Sequence, residues 1–207
     1  MLDLYCHSNR PLLKQLMETL IKEIKNCTIC LPHLELGVNP VMAASRKSKI
    51  AIIGQAPGSI VHRTGIPWDD KSGERLREWM NISKNDFYNK DLFAIIPMAF
   101  CYPGKGKSGD LPPRPECAPQ WHNKLLSQID DLQLIILIGN YAQKHYLKKL
   151  VKKTLTETVQ NYNEYLPEYL PLPHPSPRNN IWIKKNPWFE ELVVPELRRK
   201  IKPFINK

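Results

Sequence analysis

The chain has 207 residues, of which 42% are hydrophobic and 24% are charged. This balance is typical of a folded globular protein and excludes wholesale disorder. The length predicts a single domain over residues 1–207. No run of about 18 apolar residues is present, which excludes a membrane-spanning helix. Because the N-terminal segment lacks the apolar core of an export signal, we expect a cytoplasmic protein, and we expect it to be a monomer.

The charge is strongly positive and unevenly distributed. The formal net charge is +10, and residues 140–207 contain 13 basic and 6 acidic residues. A basic C-terminal third suits a polyanionic partner such as DNA, because Lys and Arg neutralise phosphates. A solvated basic surface with no such partner is the alternative interpretation.

Helical and strand patterns alternate along the chain. Apolar residues at three- and four-residue steps favour helices, and short aliphatic runs about 35–40 residues apart favour buried parallel strands joined by crossover helices. The predicted helices are Pro11–Lys25, Gly73–Met80, Ala118–Ile129, Asn140–Lys153 and Trp188–Ile201, the last interrupted at Pro195. The predicted strands are Ile50–Ile53, Leu92–Ile96, Leu132–Ile138 and Tyr169–Leu172. Together they predict an α/β fold, a three-layer α/β/α sandwich with a four-stranded, largely parallel sheet.

Unusual sequences follow the predicted strands. Gly54–Gly58 reads GQAPG, Pro97–Cys101 reads PMAFC, and His174–Asn179 reads HPSPRN. Ligands of open α/β sheets bind beyond the carboxyl ends of the strands. We therefore expect these three segments to line one cleft, although they are far apart in the sequence.

Three residue types in these segments could carry chemistry. His174 stands between prolines, which would hold its imidazole rigidly enough to stabilise a developing anion. Trp68 offers a flat face on which a base could stack, or it fills the core. Asp69 could place a carboxylate in the cleft and Asp70 could cap the helix that follows, although both could equally be caps or surface charges.

Four cysteines form a candidate metal centre. Cys27 and Cys30 form a CxxC pair, and Cys101 and Cys117 lie downstream with fifteen residues between them. Four thiolates could hold an iron–sulfur cluster or a zinc ion. Buried free thiols or a CxxC redox pair are the alternatives. Cys6 stands apart from this pattern.

Taken together, these motifs resemble the uracil-DNA glycosylase superfamily over nearly the whole chain. GQAPG is similar to the first motif of that superfamily, HPSPRN is similar to its second motif, and the stretch from Gly65 to Trp68 is similar to the segment that stacks on the flipped base. The CxxC pair and the fifteen-residue gap resemble the iron–sulfur branch, called family 4. That resemblance implies a [4Fe–4S] cluster on Cys27, Cys30, Cys101 and Cys117, with zinc as the alternative.

The resemblance implies a DNA base-excision enzyme that hydrolyses the N-glycosidic bond of a flipped uracil or another deaminated base. The candidate catalytic residues are His174 and Gln55 of the two motifs, and Asp69, which could stand in for the carboxylate that the first motif lacks here. The implied substrate-binding residues are Gly54, Ala56, Pro57, Gly58, Trp68, Met98, Ser176, Pro177, Arg178 and Asn179. Pro177 and Arg178 are expected to wedge into the gap that the flipped base leaves.

Three positions depart from the family pattern. Gln55 stands where family 4 usually has Glu, Ala56 stands where the best-known branch has a water-activating Asp, and Pro97 stands where active members usually present an Asn. These departures keep two other hypotheses open. One is a DNA-damage-binding protein of the same fold with no excision activity or another specificity, and the other is an enzyme that acts on free nucleotides.

Overall fold

The computed structural model of the chain describes residues 10–205, and its centre is a four-stranded sheet. Its strands are β1 (Ile50–Ile53), β2 (Phe93–Ile95), β5 (Leu134–Ile138) and β6 (Tyr169–Leu172), and a separate hairpin is formed by β3 (Lys105–Gly106) and β4 (Gly109–Asp110). The order in the sheet is β2-β1-β5-β6, and every neighbouring pair is parallel. The predicted fold class and all four predicted strands are confirmed.

Both faces of the sheet are covered, which explains why its strands read as continuous apolar runs. Alternate residues of β1 point to opposite faces, so Ala51 and Ile53 join one buried cluster while Ile50 and Ile52 join the other. All four side chains are fully buried. The sheet is therefore the middle layer of an α/β/α sandwich.

The helices supply the two outer layers. Their bounds are α1 (Arg10–Lys25), α2 (Ser59–Thr64), α3 (Lys71–Met80), α4 (Lys84–Tyr88), α5 (Cys117–Leu126), α6 (Gly139–Leu147), α7 (Leu155–Gln160), α8 (Asn180–Lys185) and α9 (Val194–Ile205). Helices α1, α5 and α6 pack on the face that includes Ile53, and α3 and α9 pack on the face that includes Ile52. None of these helices, within residues 10–205, is long and apolar enough to cross a membrane.

Two predicted helices have different ends in the structure. The helix predicted over Asn140–Lys153 ends at Leu147, because Lys148 adopts a left-handed backbone conformation with φ of 51°. The last helix is preceded by a π-helical turn, Phe189–Val193, and Pro195 is the second residue of α9. The π-helical turn runs directly into α9, with the Val194 N–H donating to the Phe189 carbonyl, and it lies where proline removes the next N–H from the helix.

Candidate active site

A cleft with a volume of about 430 Å³ opens at the carboxyl ends of the strands. Its walls come from the turn after β1, the segment after β2, the β3–β4 hairpin and the turn after β6. Of the predicted site residues, it is lined by Gly54, Gln55, Ala56, Pro57, Gly58, Trp68, Pro97, His174, Ser176, Arg178 and Asn179. The sheet thus brings together three sequences that are about 40 and 80 residues apart, as its parallel topology requires.

Backbone hydrogen bonds join the first two strand ends. The Met98 N–H donates to the Gly54 carbonyl at 2.9 Å, and the Ala99 N–H donates to the Gln55 carbonyl at 3.1 Å. The Met98 side chain is 8% exposed and lies outside the cleft lining, contrary to its predicted place in the substrate site. Met98 instead fixes the GQAPG turn through its main-chain N–H.

Trp68 lies directly on the GQAPG turn. A Cβ atom at Gly54 would lie 2.8 Å from Cζ2 of the indole, so a side chain there would collide with Trp68. Trp68 has a left-handed φ of 57°, and a Cβ atom at Gly73 would lie 1.8 Å from its carbonyl oxygen. Arg77 donates to the same carbonyl at 3.3 Å. Glycines at 54 and 73 therefore allow Trp68 to form one wall of the cleft.

His174 forms the neighbouring wall and is held in one tautomer. The ring centroids of Trp68 and His174 are 5.5 Å apart, with an angle of 34° between the planes. The Ser176 N–H donates to Nδ1 of His174 at 3.2 Å, which leaves the proton of the neutral ring on Nε2. Burial lowers the pKa of His174 to about 4, against the opposing effect of the Asp110 carboxylate. The ring is therefore a neutral Nε2–H donor at neutral pH.

The rest of the HPSPRN turn braces the cleft. Asn179 donates from Nδ2 to the His174 carbonyl at 2.7 Å, and Arg75 donates to the Ser176 carbonyl at 3.3 Å. Arg178 donates from Nη1 to the Ser108 carbonyl of the hairpin at 3.1 Å. Pro177 is exposed and lies outside the cleft lining. Arg178 thus joins the turn after β6 to the hairpin, and its role as a wedge stays a prediction.

Of the two neighbouring aspartates, Asp70 is placed as predicted and Asp69 is not. Asp69 lies outside the cleft lining and pairs with Lys84 at 3.8 Å. Asp70 lines the cleft, and its Oδ1 accepts a hydrogen bond from the Gly73 N–H at 2.8 Å as the N-cap of α3. The capping role of Asp70 is confirmed. The placement of Asp69 in the cleft is wrong, because the left-handed turn at Trp68 directs the following side chain toward α4.

Two residues that the sequence did not single out contribute to the cleft. Asp110, at the end of β4, lines the cleft and accepts a hydrogen bond from the Tyr102 hydroxyl at 3.3 Å. His122 of α5 is 1% exposed, and its Nε2 contacts the Pro97 carbonyl at 3.1 Å while its Nδ1 contacts the Tyr146 hydroxyl at 2.7 Å. The glycines around Ser108 were a hairpin signal for Asp110, whereas the contact of His122 depends on tertiary packing alone.

The four cysteines line one small apolar cavity between α1, α5 and the segment after β2. The Phe100 N–H donates to Sγ of Cys117 at 3.4 Å. Burial, together with the smaller effect of nearby cysteines, raises the pKa of Cys101 to about 11 and that of Cys117 to about 12. Within residues 10–205, no three His, Cys, Asp or Glu side chains surround a point that would hold a single metal ion. Cys6 lies outside the described residues.

Comparison with known proteins identifies the family. A family model described as "Uracil DNA glycosylase superfamily" matches residues 42–198, which include the sheet and every wall of the cleft. The chain is also 26% identical over 167 residues to the Type-4 uracil-DNA glycosylase of Thermotoga maritima, covering 79% of this chain and 83% of that protein. The resemblance to family 4 is thus confirmed. The chain belongs to the uracil-DNA glycosylase superfamily and is, as a member, a DNA glycosylase.

Proposed function

We propose that this protein removes uracil, or another deaminated base, from DNA by hydrolysing the N-glycosidic bond of a nucleotide flipped into the cleft. The observation that carries the proposal is the neutral Nε2–H tautomer of His174, held beside Trp68 by the Ser176 N–H. A fixed neutral donor stabilises negative charge as it develops on the oxygen of a leaving base. The relative's name, Type-4 uracil-DNA glycosylase, supports the same chemistry.

The cleft walls suggest how the flipped base is held. Its face stacks on the Trp68 indole, and its oxygen accepts a hydrogen bond from Nε2 of His174. The backbone N–H groups of Gln55 and Ala56 are available beside it, since the GQAPG turn lines the cleft. Gln55 and Asn179 supply the amide side chains of the lining. Because the Asn179 amide donates to the His174 carbonyl, Gln55 is the better candidate for reading the base edge.

Pro97 bears on which bases the protein would release. Proline offers no N–H to a base, and the Pro97 carbonyl contacts His122. Recognition then depends on Gln55 and the backbone rather than on an amide side chain at position 97. This observation favours the second candidate, a damage-binding protein of the same fold, if no base is released.

A [4Fe–4S] cluster held by Cys27, Cys30, Cys101 and Cys117 belongs to the same proposal. The residues fit such a group, because four thiols line one apolar cavity and a backbone N–H already points at Cys117. Four thiolates suit a zinc ion as well, so zinc stays the alternative metal for the same residues. When bound, the cluster would tie α1 to α5 and take no part in the reaction.

DNA is the proposed partner, and its phosphates would lie against the basic C-terminal third. Pro177 and Arg178 are the exposed residues of the HPSPRN turn, which supports their proposed role as a wedge in a duplex. To do so, Arg178 must exchange its contact with the Ser108 carbonyl for a contact with DNA. A monomeric, cytoplasmic enzyme is part of the same proposal.

The test is base release from single-stranded and duplex oligonucleotides that carry uracil, hypoxanthine or xanthine. We expect uracil release, and His174→Ala should slow it by about 100-fold or more because one preorganised donor is removed. The His33→Ala variant is the control, since His33 is exposed on the chain before the sheet. Binding to damaged DNA without release of any base would replace excision with the damage-binding function.

A further inference from the structure

A carboxylate reaches into the cleft from the β3–β4 hairpin. The Asp110 side chain lines the cleft, and its Oδ1 accepts a hydrogen bond from the Tyr102 hydroxyl at 3.3 Å. Its Oδ2 lies 3.7 Å from the position that a Cβ atom would take at Gly58. The carboxylate thus faces the GQAPG turn. In the family pattern this turn contains an acidic residue, whereas here it contains none.

The hairpin that carries Asp110 is fitted closely to the HPSPRN turn. Arg178 donates to the Ser108 carbonyl at 3.1 Å. Gly109 has a φ of 148°, and a Cβ atom there would lie 2.2 Å from Nη1 of Arg178. With the Tyr102 hydroxyl on its other side, Asp110 is therefore positioned by two independent contacts rather than projecting from an unattached loop.

A negative charge at this position opposes the binding of DNA. Like charges repel, so a carboxylate in a cleft for a polyanion weakens binding, and its presence there points to a role in the fold or in the reaction. The other carboxylate of the lining, Asp70, has such a role in the fold, because it caps α3. No helix end depends on Asp110. Asp110 and His174 line the same cleft, and the carboxylate raises the pKa of that ring against the lowering by burial.

The depth of Asp110 in the cleft matches that of a sugar. Asp110 is exposed, whereas His174 and Trp68 are half-buried. A nucleotide that enters base first places its base against His174 and Trp68, and its sugar stays nearer the mouth. Asp110, the more exposed of the three, is then on the side of the sugar, whose anomeric carbon water must attack and which gains positive character in the transition state.

We infer that Asp110 is a catalytic residue whose carboxylate accepts a proton from the attacking water, an inference that rests on the glycosylase function proposed above. In this step the bond between C1′ and the base nitrogen breaks, and its electron pair leaves with the base. The water oxygen forms the new bond to C1′, and one proton of that water passes to Asp110. The abasic sugar keeps the hydroxyl group, and Asp110 returns its proton to solvent or to the released base anion.

The test compares Asp110→Asn, Asp110→Ala and Asp131→Asn in single-turnover uracil release from a single-stranded oligonucleotide. Asp131 is the control because it is exposed, pairs with Lys49 and lies outside the cleft lining. Loss of a general base should slow Asp110→Asn by about 10²–10⁴-fold, with Asp131→Asn unchanged. Affinity for an abasic oligonucleotide should stay equal or rise, since one negative charge is removed.

Chemical rescue separates catalysis from hairpin bracing. Formate, but not chloride at equal ionic strength, should restore part of the rate of Asp110→Ala because a small carboxylate can take the place of the side chain. The inference is overturned if Asp110→Asn keeps the wild-type rate. It is also overturned if both variants are slow but have a lower Tm and bind DNA more weakly, and if formate does not restore the rate of Asp110→Ala. A wild-type protein that releases no base would overturn the proposed function as well, whereas an active wild type with an active Asp110→Asn overturns only this inference.

Discussion

His174 and His122 are two imidazoles that the fold keeps neutral by different means. His174 accepts from the Ser176 N–H at Nδ1, whereas His122 lies between the Pro97 carbonyl and the Tyr146 hydroxyl. Because the Nε2 of His122 faces a carbonyl oxygen, its proton is on that nitrogen. Both rings therefore have their proton on Nε2, and one donates it to the protein while the other presents it to the cleft.

These two residues make stability depend on pH. Burial lowers the pKa of each ring to about 4, from 6.5 in the unfolded chain. Between these values the unfolded state binds more protons than the folded state, so the free energy of unfolding falls as the pH falls from about 6.5 to about 4. Above pH 6.5 this contribution is complete and constant.

Thermal melts across that pH range test the effect. The Tm of the wild type should fall toward pH 4, and His122→Gln should show a shallower decline because one of the two buried rings is gone. His33→Gln should follow the wild type, since His33 is exposed. A His122→Gln variant with the full wild-type decline would show that His122 is protonated in the folded protein.

Residues next to strand ends could be predicted from the sequence, because the end of a parallel strand fixes which edge a residue occupies. Gly54, Pro97 and His174 reach the cleft for that reason. Asp69 and Asp70 could not be told apart, since their directions depend on the left-handed backbone of Trp68, which glycine at position 73 permits. Asp110 depends on how a short hairpin folds back, and no periodic pattern reports that.

At the scale of elements, α5 connects the cysteine cavity to the cleft. Its first residue is Cys117, and one turn later His122 contacts the carbonyl of Pro97. The same short segment after β2 carries Pro97 in the cleft and Cys101 in the cavity. A change in the cavity can therefore shift the wall of the cleft through a rigid helix rather than through a loop.

Replacing one cysteine tests both the proposed cluster and this connection. Purified wild-type protein should be brown with broad visible absorption, and Cys101→Ser should lose the colour and have a lower Tm because α1 and α5 are no longer tied together. Cys6→Ser is the matched control and should keep the colour. A colourless wild-type protein with one bound zinc would support the alternative metal, and a metal-free protein of equal stability would return the four residues to free thiols.

Long helices and buried strands could be predicted from the sequence, whereas short helices could not. Helices α1, α3, α5 and α9 have enough apolar positions to fix their period, and the sheet strands stand out as short continuous apolar runs. Helices α2, α4, α7 and α8 have five or six residues each, which is less than two turns, so they leave little periodic signal. The hairpin has two residues in each strand, and it is held by Arg178 and Tyr102 rather than by an apolar pattern.

At the scale of the molecule, the uneven charge predicts a strong salt dependence of DNA binding. Residues 140–207 contain 13 basic and 6 acidic residues, and Lys184 and Lys185 end α8 directly after the HPSPRN turn. Removing one Lys–phosphate ion pair should reduce the slope of log affinity against log salt by about 0.7 on single strands. Lys184→Ala should therefore bind single-stranded DNA with a lower slope than the wild type.

Lys152→Ala is the matched control for that measurement. Lys152 pairs with Glu164, so its charge is balanced locally and its removal should leave the slope unchanged. Equal slopes for all three proteins would remove α8 from the DNA-binding surface. A wild-type affinity that hardly changes with salt would favour an enzyme for free nucleotides.

The strand order also determines when a newly made chain can first act on DNA. Strand β6 pairs only with β5 at one edge of the sheet, and it delivers His174 and Arg178 to the cleft. Synthesis proceeds from the N-terminus, so the GQAPG turn, Trp68 and Asp110 all leave the ribosome before the residue that stabilises the leaving base. A chain that stops after Asp110 but before residue 174 therefore has the stacking wall and lacks the proposed leaving-group donor. Premature termination before residue 174 should thus produce an inactive protein rather than a partly active glycosylase.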